Sequence, residues 1–247
     1  MIGLGTALNV VTVVVGAAAG IALGNRLPQR VREVITDGLG LTTLLIAGLN
    51  ASAVTDPALA AATGRGGPVL VVLGALLVGG LVGAALRLEQ RLEDVGGFLQ
   101  RRLGGATGAD QRRRFIDGFV TSSLVFCVGP LTVLGSLQDG LGEGIELLAL
   151  KATLDGFAAL AFAASLGWGV MASALSVLVV QGLLTALGVA LGEIVDDAAV
   201  AALTATGGVL LVGVAIRLLR IRPLPVADLL PGLVVAPLLV TVVDALR

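Results

Sequence analysis

The sequence has no histidine and no tyrosine, and it has one cysteine and one tryptophan. Without histidine, the chain has no histidine zinc sites, histidine general bases or Ser-His pairs. The lone Cys127 cannot form an intrachain disulfide. Tryptophan and tyrosine usually mark the two membrane–water interfaces, and Trp168 is the single residue of either type. The membrane boundaries are therefore read from arginines and prolines. These absences exclude much catalysis, and we expect neither an enzyme nor a bound metal or cofactor.

Charged residues are also scarce, at 13% of the chain, whereas 56% of the residues are hydrophobic and the mean hydropathy is +1.02. This composition lies far outside that of a soluble domain and indicates an integral membrane protein. The 16 basic and 17 acidic residues nearly cancel, so nothing points to nucleic acid as a partner. The expected partners are membrane lipid and a small solute or ion.

Apolar stretches of the length that a transmembrane helix needs, about 20 residues, recur along the chain. They are Ile2 to Leu23, Val34 to Ala53, Pro68 to Leu86, Phe115 to Leu137, Leu147 to Leu166, Val170 to Leu191, Ala198 to Leu219 and Val226 to Leu246. They predict an all-α membrane protein with about eight transmembrane helices. We expect residues 1–247 to form a single polytopic membrane domain.

Arginine placement predicts the orientation. The first, third and seventh connections, together with Arg217 at the end of the seventh stretch, hold 13 of the 16 basic residues, and basic connections stay on the cytoplasmic side. Both termini are then expected outside a bacterial inner membrane. The third connection, residues 88–114, is long, and its apolar residues recur at helical spacing among charges: Leu88, Leu92, Val95, Leu99 and Leu103. This pattern predicts an amphipathic surface helix in a cytoplasmic connector, anchored to anionic lipid by Arg112 to Arg114.

Small residues are abundant, with 36 glycines in the chain. Some of them recur every fourth residue on one helix face: Gly16, Gly20 and Gly24; Gly79 and Gly83; Gly188 and Gly192. Helices in lipid associate through such close approaches of their backbones. The spacing favours ordinary packing within one bundle, and a homo-oligomer is the other interpretation.

A weak repeat is visible in the sequence. Asp37, Gly38 and Leu39 open the second stretch much as Asp117, Gly118 and Phe119 open the fourth, and the VLVV of the third stretch returns in the sixth. A three-helix unit repeated once would be inverted, a common plan of secondary transporters. At the start of their stretches, Asp37 and Asp117 are expected to cap helix amides.

The fourth stretch is unusually rich in polar and small residues for a transmembrane segment. These are Thr121, Ser122, Ser123, Cys127, Gly129, Pro130, Thr132, Gly135 and Ser136. Because Pro130 removes an amide donor, the Gly129–Pro130 pair predicts a discontinuous helix whose free carbonyls, with Ser122 and Ser123, face a substrate or ion. The alternative is a proline kink in which the serines bond back to their own helix.

Four further polar residues lie in other stretches. Lys151 and Asp155 are four residues apart, so they share a helix face and neutralise each other. Asn9 and Gln181 are amides within spans and are candidates for the lining of the same cavity. Lys151 and Asp155 are either part of a substrate or ion site or a structural ion pair. Asn9 and Gln181 either line that site or form hydrogen bonds between helices.

Several runs resemble one family of bacterial membrane proteins, the YqgA/YdfK-like family. They are SSLVFCVGPLTVLGSLQDGL from Ser122, LKATLDGFAALAFAASLGWGV from Leu150, VLVVQGLLT from Val177 and LPGLVVAPLL from Leu230. The resemblance covers nearly the whole chain and implies an all-helical membrane protein, from a family described as transport proteins without an assigned function. It supplies no substrate and no catalytic residues.

Together these observations predict a transporter or channel for a small solute or ion, with a polar site near the broken fourth helix. The alternative is a membrane scaffold or regulatory protein that moves nothing, whose surface helix binds a partner.

Overall fold

The computed structural model describes residues 2–24, 26–103, 108–142, 144–191 and 196–246, and every regular element in these ranges is a helix. The α-helices are α1 (Leu4–Gly24), α2 (Gln29–Ala51), α3 (Pro57–Thr63), α4 (Gly67–Leu86), α5 (Leu88–Leu103), α6 (Ala109–Cys127), α7 (Pro130–Leu141), α8 (Glu146–Leu166), α9 (Trp168–Ala172), α10 (Ala174–Leu191), α11 (Asp197–Leu218) and α12 (Gly232–Ala245). The short 3-10 helices Ser52–Thr55 and Val226–Leu229 precede α3 and α12.

Seven helices of the described chain are long and apolar enough to cross a membrane, and α6 with α7 forms a bent pair that makes an eighth. The predicted all-α membrane fold is confirmed, including the interruption of the fourth span. The short helix α3 was not predicted, since Pro57 only marked a connection; its Leu59 and Thr63 are buried. The inverted repeat, the homo-oligomer and the outward termini stay predictions.

The chain forms two compact units. The first unit contains Met1–Leu39, Leu92–Cys127 and Leu131–Glu193, and the second contains Gly40–Arg91, Val128–Pro130 and Ile194–Arg247. The described parts of the first unit hold α1, α6, most of α7, α8, α9 and α10, and those of the second hold α3, α4, α11 and α12.

Glycines bring α1 against α8 in the first unit. A Cβ on Gly16, Gly20 or Gly24 would lie 2.1, 2.2 or 2.3 Å from a backbone carbonyl oxygen of α8. The two helices run in the same direction, because Gly5 near the start of α1 meets Leu148 and Gly24 at its end meets Ala164. This glycine stripe is therefore a packing face within the chain. Gly188 likewise packs on α7, whereas Gly192 lies outside the described residues.

The broken helix pair crosses the first unit from one end to the other. We call the end where α1 and α8 begin the upper end and the opposite one the lower end. Near the start of α6, Arg114 Nε donates to the Ser165 carbonyl at the lower end of α8 (3.1 Å). Near the end of α7, Asp139 accepts from Gly3 at the upper end (3.0 Å). The bend of 61° between α6 and α7 is therefore a break within a span, and not a loop that returns to its starting side.

The second unit also relies on close backbone approaches. In α4, a Cβ on Gly79 would lie 2.2 Å from the backbone nitrogen of Gly232, the first residue of α12. Its apolar core includes Leu59, Val71 and Ala202. At one corner Arg217 forms an ion pair with Glu89, which also accepts from the Ala227 amide at 2.8 Å, while Asp228 accepts from the Glu89 amide at 2.9 Å. These bonds fix the start of α5.

Two capping predictions are wrong. Asp37 lies inside α2, which begins at Gln29, and Asp117 lies inside α6, which begins at Ala109. Both side chains are exposed, about two turns from the helix start. Arginine and glutamine are good helix formers, so the charged residues before each apolar stretch are already helical. Each helix therefore begins before its apolar stretch does.

Residues 88–103 of the predicted connector form the helix α5. Its Gly96 faces α6, where a Cβ would lie 3.0 Å from the Phe119 ring. Leu92 and Leu99 are half-buried, but Val95 is exposed, so the buried face is narrower than the sequence pattern predicted. Phe98 is also exposed, and the Arg102 guanidinium lies 5.6 Å from its ring centre. The following residues 104–107 lie outside the described chain.

Candidate functional site: a buried polar layer

An ion pair with a third partner lies inside the first unit. Lys151 Nζ bonds to Asp155 Oδ2 one turn along α8, as their spacing predicted. Asn9 Nδ2 of α1 donates to the same carboxylate oxygen at 2.9 Å. All three residues are buried, with Asn9 0%, Lys151 6% and Asp155 7% exposed. The structure thus brings together three of the residues that the sequence nominated.

Three contacts close the helices at the upper end, and we call them the upper contacts. Asp139 of α7 accepts from the Gly5 amide at 3.1 Å. The hydroxyls of Thr6 and Thr185 lie 3.4 Å apart, between α1 and α10. A Cβ on Gly140 would lie 2.2 Å from the Thr185 carbonyl oxygen, between α7 and α10. The three helices α1, α7 and α10 therefore meet at this level.

One turn below the upper contacts, the same three helices each carry a buried polar side chain. Asn9, Ser136 and Gln181 each lie three or four residues from a member of the upper contacts, on the lower side of it. Residues at this spacing share a helix face, so the three side chains occupy one level, where Asn9 also binds Asp155. We call this level the polar layer: Asn9, Ser136, Lys151, Asp155 and Gln181.

Four atoms of the polar layer have no hydrogen-bond partner among the described residues. They are Asn9 Oδ1, Ser136 Oγ, Gln181 Oε1 and Gln181 Nε2. All three residues are 0% exposed. The orientation of Asn9 is fixed, because a carboxylate only accepts and therefore faces the amide nitrogen. Buried polar atoms are nearly always paired, so these four mark the place where a further molecule is needed.

Apolar side chains lie below the polar layer. Phe162 is two turns further along α8 than Asp155, and its ring meets that of Phe126 edge to face, with 6.0 Å between the centres. Phe126 and Val177 are fully buried. The polar layer is therefore bounded by the upper contacts on one side and by apolar packing on the other.

A side-chain hydrogen bond spans the break between α6 and α7. Because Pro130 has no amide hydrogen, the Phe126 carbonyl loses its donor in the helix, and Thr132 Oγ1 donates to it instead at 3.2 Å. The sequence predicted that this carbonyl is free to bind a ligand, but in the structure it already accepts a hydrogen bond. Cys127, the last residue of α6, is half-buried.

The remaining nominated residues lie outside the polar layer. Ser122 Oγ donates to the Gly118 carbonyl of its own helix at 2.5 Å, and Ser123 Oγ donates to Ser176 Oγ at 2.8 Å. The Ser122 bond is the back-bond of the alternative interpretation, whereas the Ser123 bond joins α6 to α10. Gly129 lies in the break, where a Cβ would meet no atom within 4 Å. Pro130 begins α7, and its side chain lies outside the described structure.

Sequence reasoning missed Ser136 and Asp139. Ser136 was counted among the polar residues of the fourth stretch but was not nominated, and Asp139 was not singled out. Asp139 is instead 2% exposed and accepts from the amides of Gly3 and Gly5. Their spacing of three residues on one face of α7 was the available signal.

Removal of the Asp139 carboxylate should loosen the start of α1. Because an anion that accepts two helix-start amides stabilises that end, we expect Asp139→Ala to lower the free energy of unfolding by about 2 kcal/mol. Thermal unfolding in detergent gives the stability, and amide hydrogen exchange at Gly3 and Gly5 should accelerate. Asp244→Ala, at the exposed end of α12, is the control. Equal protection of Gly3 and Gly5 in both variants would contradict this role.

The fold and site define a class: a polytopic all-α membrane protein with a polar layer buried inside one of its units. Within that class, the chain belongs to the family described as Protein of unknown function (DUF554), whose profile matches residues 4–241. The sequence resemblance to YqgA/YdfK-like proteins is thereby confirmed.

Two relatives are similar over nearly their whole length. The Uncharacterized protein YqgA of Escherichia coli (strain K12) is 27% identical over 234 residues, 94% of each chain. The Uncharacterized membrane protein YdfK of Bacillus subtilis (strain 168) is 24% identical over 241 residues, 98% of this chain and 97% of that one. No solved structure matches the chain.

Proposed function

We propose that this protein moves a small solute or ion across the bacterial inner membrane through the polar layer. The observation that carries the proposal is the group of four unpartnered polar atoms beside the Lys151–Asp155 pair. An unpaired buried polar group costs about 1–3 kcal/mol, and ionisable residues within membrane spans usually mark solute or ion pathways. A purely structural polar cluster would satisfy its own members.

The boundaries of the polar layer supply the two gates that transport requires. Separation of the upper contacts, which are a few hydrogen bonds and one backbone approach, opens the layer to one side. Displacement of Phe126 from Phe162 opens it to the other side. The break between α6 and α7 lets the two halves of that span move separately, as in transporters with discontinuous helices.

A scaffold role is the second candidate, and exposed Phe98 on α5 favours it. An aromatic side chain with an arginine over its ring is suited to a membrane surface or to a protein partner. A scaffold does not need the polar layer, so solute flux separates the two candidates.

Flux into proteoliposomes tests the proposal. Vesicles with the native protein should take up at least one solute from a panel of salts and neutral solutes faster than empty vesicles do. Asp155→Asn leaves the Lys151 charge without its counter-ion and leaves a single amide oxygen to accept from Asn9, so it should slow that uptake by about tenfold or more, equivalent to 1.4 kcal/mol. Asp244→Asn, at an exposed position, should leave the rate unchanged.

A second variant separates loss of the site from loss of the fold. Ser136→Ala removes one unpartnered hydroxyl, should leave stability unchanged or higher, and should still slow uptake. If native vesicles match empty ones for every solute, the transport proposal is wrong and the scaffold candidate replaces it.

A further inference from the structure

We infer that the polar layer takes a small solute that has no charged group and carries both hydrogen-bond donors and acceptors, such as an amide or a polyol. This inference rests on the proposed transport function and adds the chemical class of the solute.

The unpartnered atoms include both bonding types. Asn9 Oδ1 is a carbonyl oxygen and therefore only accepts. The amide nitrogen of Asn9 already donates to Asp155. Gln181 offers one acceptor and one donor group, and the Ser136 hydroxyl can do either. A ligand with donors alone would leave Gln181 Nε2 unpaired, and a ligand with acceptors alone would leave Asn9 Oδ1 unpaired. A ligand with both types satisfies all four atoms.

The charges of the polar layer already cancel. Asp155 Oδ2 binds both Lys151 and Asn9, so the carboxylate has its counter-ion in direct contact. An ion would add a net charge to a buried site, and a zwitterion would bring two further charged groups out of water, and low-dielectric surroundings strongly disfavour both. A multivalent cation also lacks ligands, because the described residues contain no cluster of three or more His, Cys, Asp or Glu that could hold a metal ion. An uncharged solute avoids both costs.

The height of the layer limits the solute size. The three unpartnered side chains lie one turn below the upper contacts, and a helical turn rises about 5.4 Å. Fully buried Phe126 and Val177 lie on the opposite side. On α10 the distance from Thr185 to Val177 is eight residues, or roughly 12 Å, so the solutes to test are small ones such as urea, acetamide and glycerol.

Light-scattering measurements of proteoliposome swelling test this inference. One arm presents urea, acetamide and glycerol, a second presents potassium chloride, and a third presents the zwitterion glycine. We expect the native protein to accelerate swelling in the first arm by about tenfold over empty vesicles, equivalent to 1.4 kcal/mol, with no response to an imposed membrane potential. Gln181→Leu should return the rate to that of empty vesicles. Gln29→Leu, the same change at an exposed position in α2, should not.

The stability of Gln181→Leu separates a ligand site from structural packing. Because Gln181 has no partner for either amide atom among the described residues, leucine should raise the thermal unfolding temperature while it abolishes uptake. A lower unfolding temperature would identify Gln181 as an interhelical bond and overturn the assignment. If Gln181→Leu does not fold, Ser136→Ala decides, since it should slow uptake of uncharged solutes.

The other outcomes are equally decisive. Swelling only with potassium chloride or glycine would overturn the uncharged class and leave the transport proposal standing. Faster water movement without solute uptake would show that the unpartnered atoms bind water and would overturn the inference. If Gln181→Leu and Ser136→Ala both take up uncharged solutes at the rate of the native protein, the pathway lies elsewhere and the inference is wrong. Uptake in no arm would remove both the inference and the transport function.

Discussion

Gly16→Ala should abolish the native contact between α1 and α8. The added Cβ would lie 2.1 Å from the Gly156 carbonyl oxygen and 3.0 Å from its carbon. Both are backbone atoms, so no side chain can rotate away and α1 itself must shift. Gly20 and Gly24 lie equally close to α8, and a shift would loosen their contacts as well. We expect the free energy of unfolding to fall by about 3 kcal/mol or more.

Gly48→Ala is the matched control for this substitution. Gly48 also lies within a span, in α2, but a Cβ there would meet no atom within 4 Å. Alanine is the better helix former by about 0.8–1 kcal/mol, so this variant should be as stable as the native protein or more so. Thermal unfolding of both variants in the same detergent provides the comparison. Equal stability would mean that α1 and α8 are further apart than the glycine contacts indicate.

Asp155→Ala should cause the second large loss of stability. It leaves the Lys151 ammonium buried without its counter-ion, and breaking a buried pair in this way costs about 3–5 kcal/mol. Lys151→Met should cost less, because the carboxylate keeps its hydrogen bond from Asn9. The double substitution removes both charges and should be more stable than Asp155→Ala alone.

A double-mutant cycle with these three variants measures the coupling. Chemical denaturation or thermal unfolding in detergent gives the stabilities, and Asp244→Ala controls for loss of a carboxylate. Strictly additive effects would show that Lys151 and Asp155 do not interact in the folded protein. A double variant that is stable and yet takes up no solute would separate the binding role of the pair from its structural role.

The sequence was sufficient to predict features that depend on neighbouring residues. Hydropathy located the spans, because a bilayer requires about 20 apolar residues per helix. The Gly129–Pro130 pair located the break, since proline removes a helix hydrogen bond. Lys151 and Asp155 were paired correctly because residues four apart share a helix face.

Features that depend on how distant helices meet were not predictable in this way. Ser136 joins Gln181 and Asn9 only because α1, α7 and α10 converge at the upper contacts. Asp139 is buried because it bonds to the start of α1, more than 130 residues away in the sequence. Ser122 was nominated from its polarity, yet a hydroxyl can be satisfied within its own helix.

The partnership of α1 with α8 also affects how the protein is made. Asn9 and Asp155, which bond across these helices, are separated by 146 positions in the chain. At synthesis rates of about 5–20 residues per second, Asp155 is translated roughly 7–30 s after Asn9. During that interval the glycine face of α1 lacks its native partner. Assembly of the polar layer is therefore a late event, after most of the chain has left the ribosome.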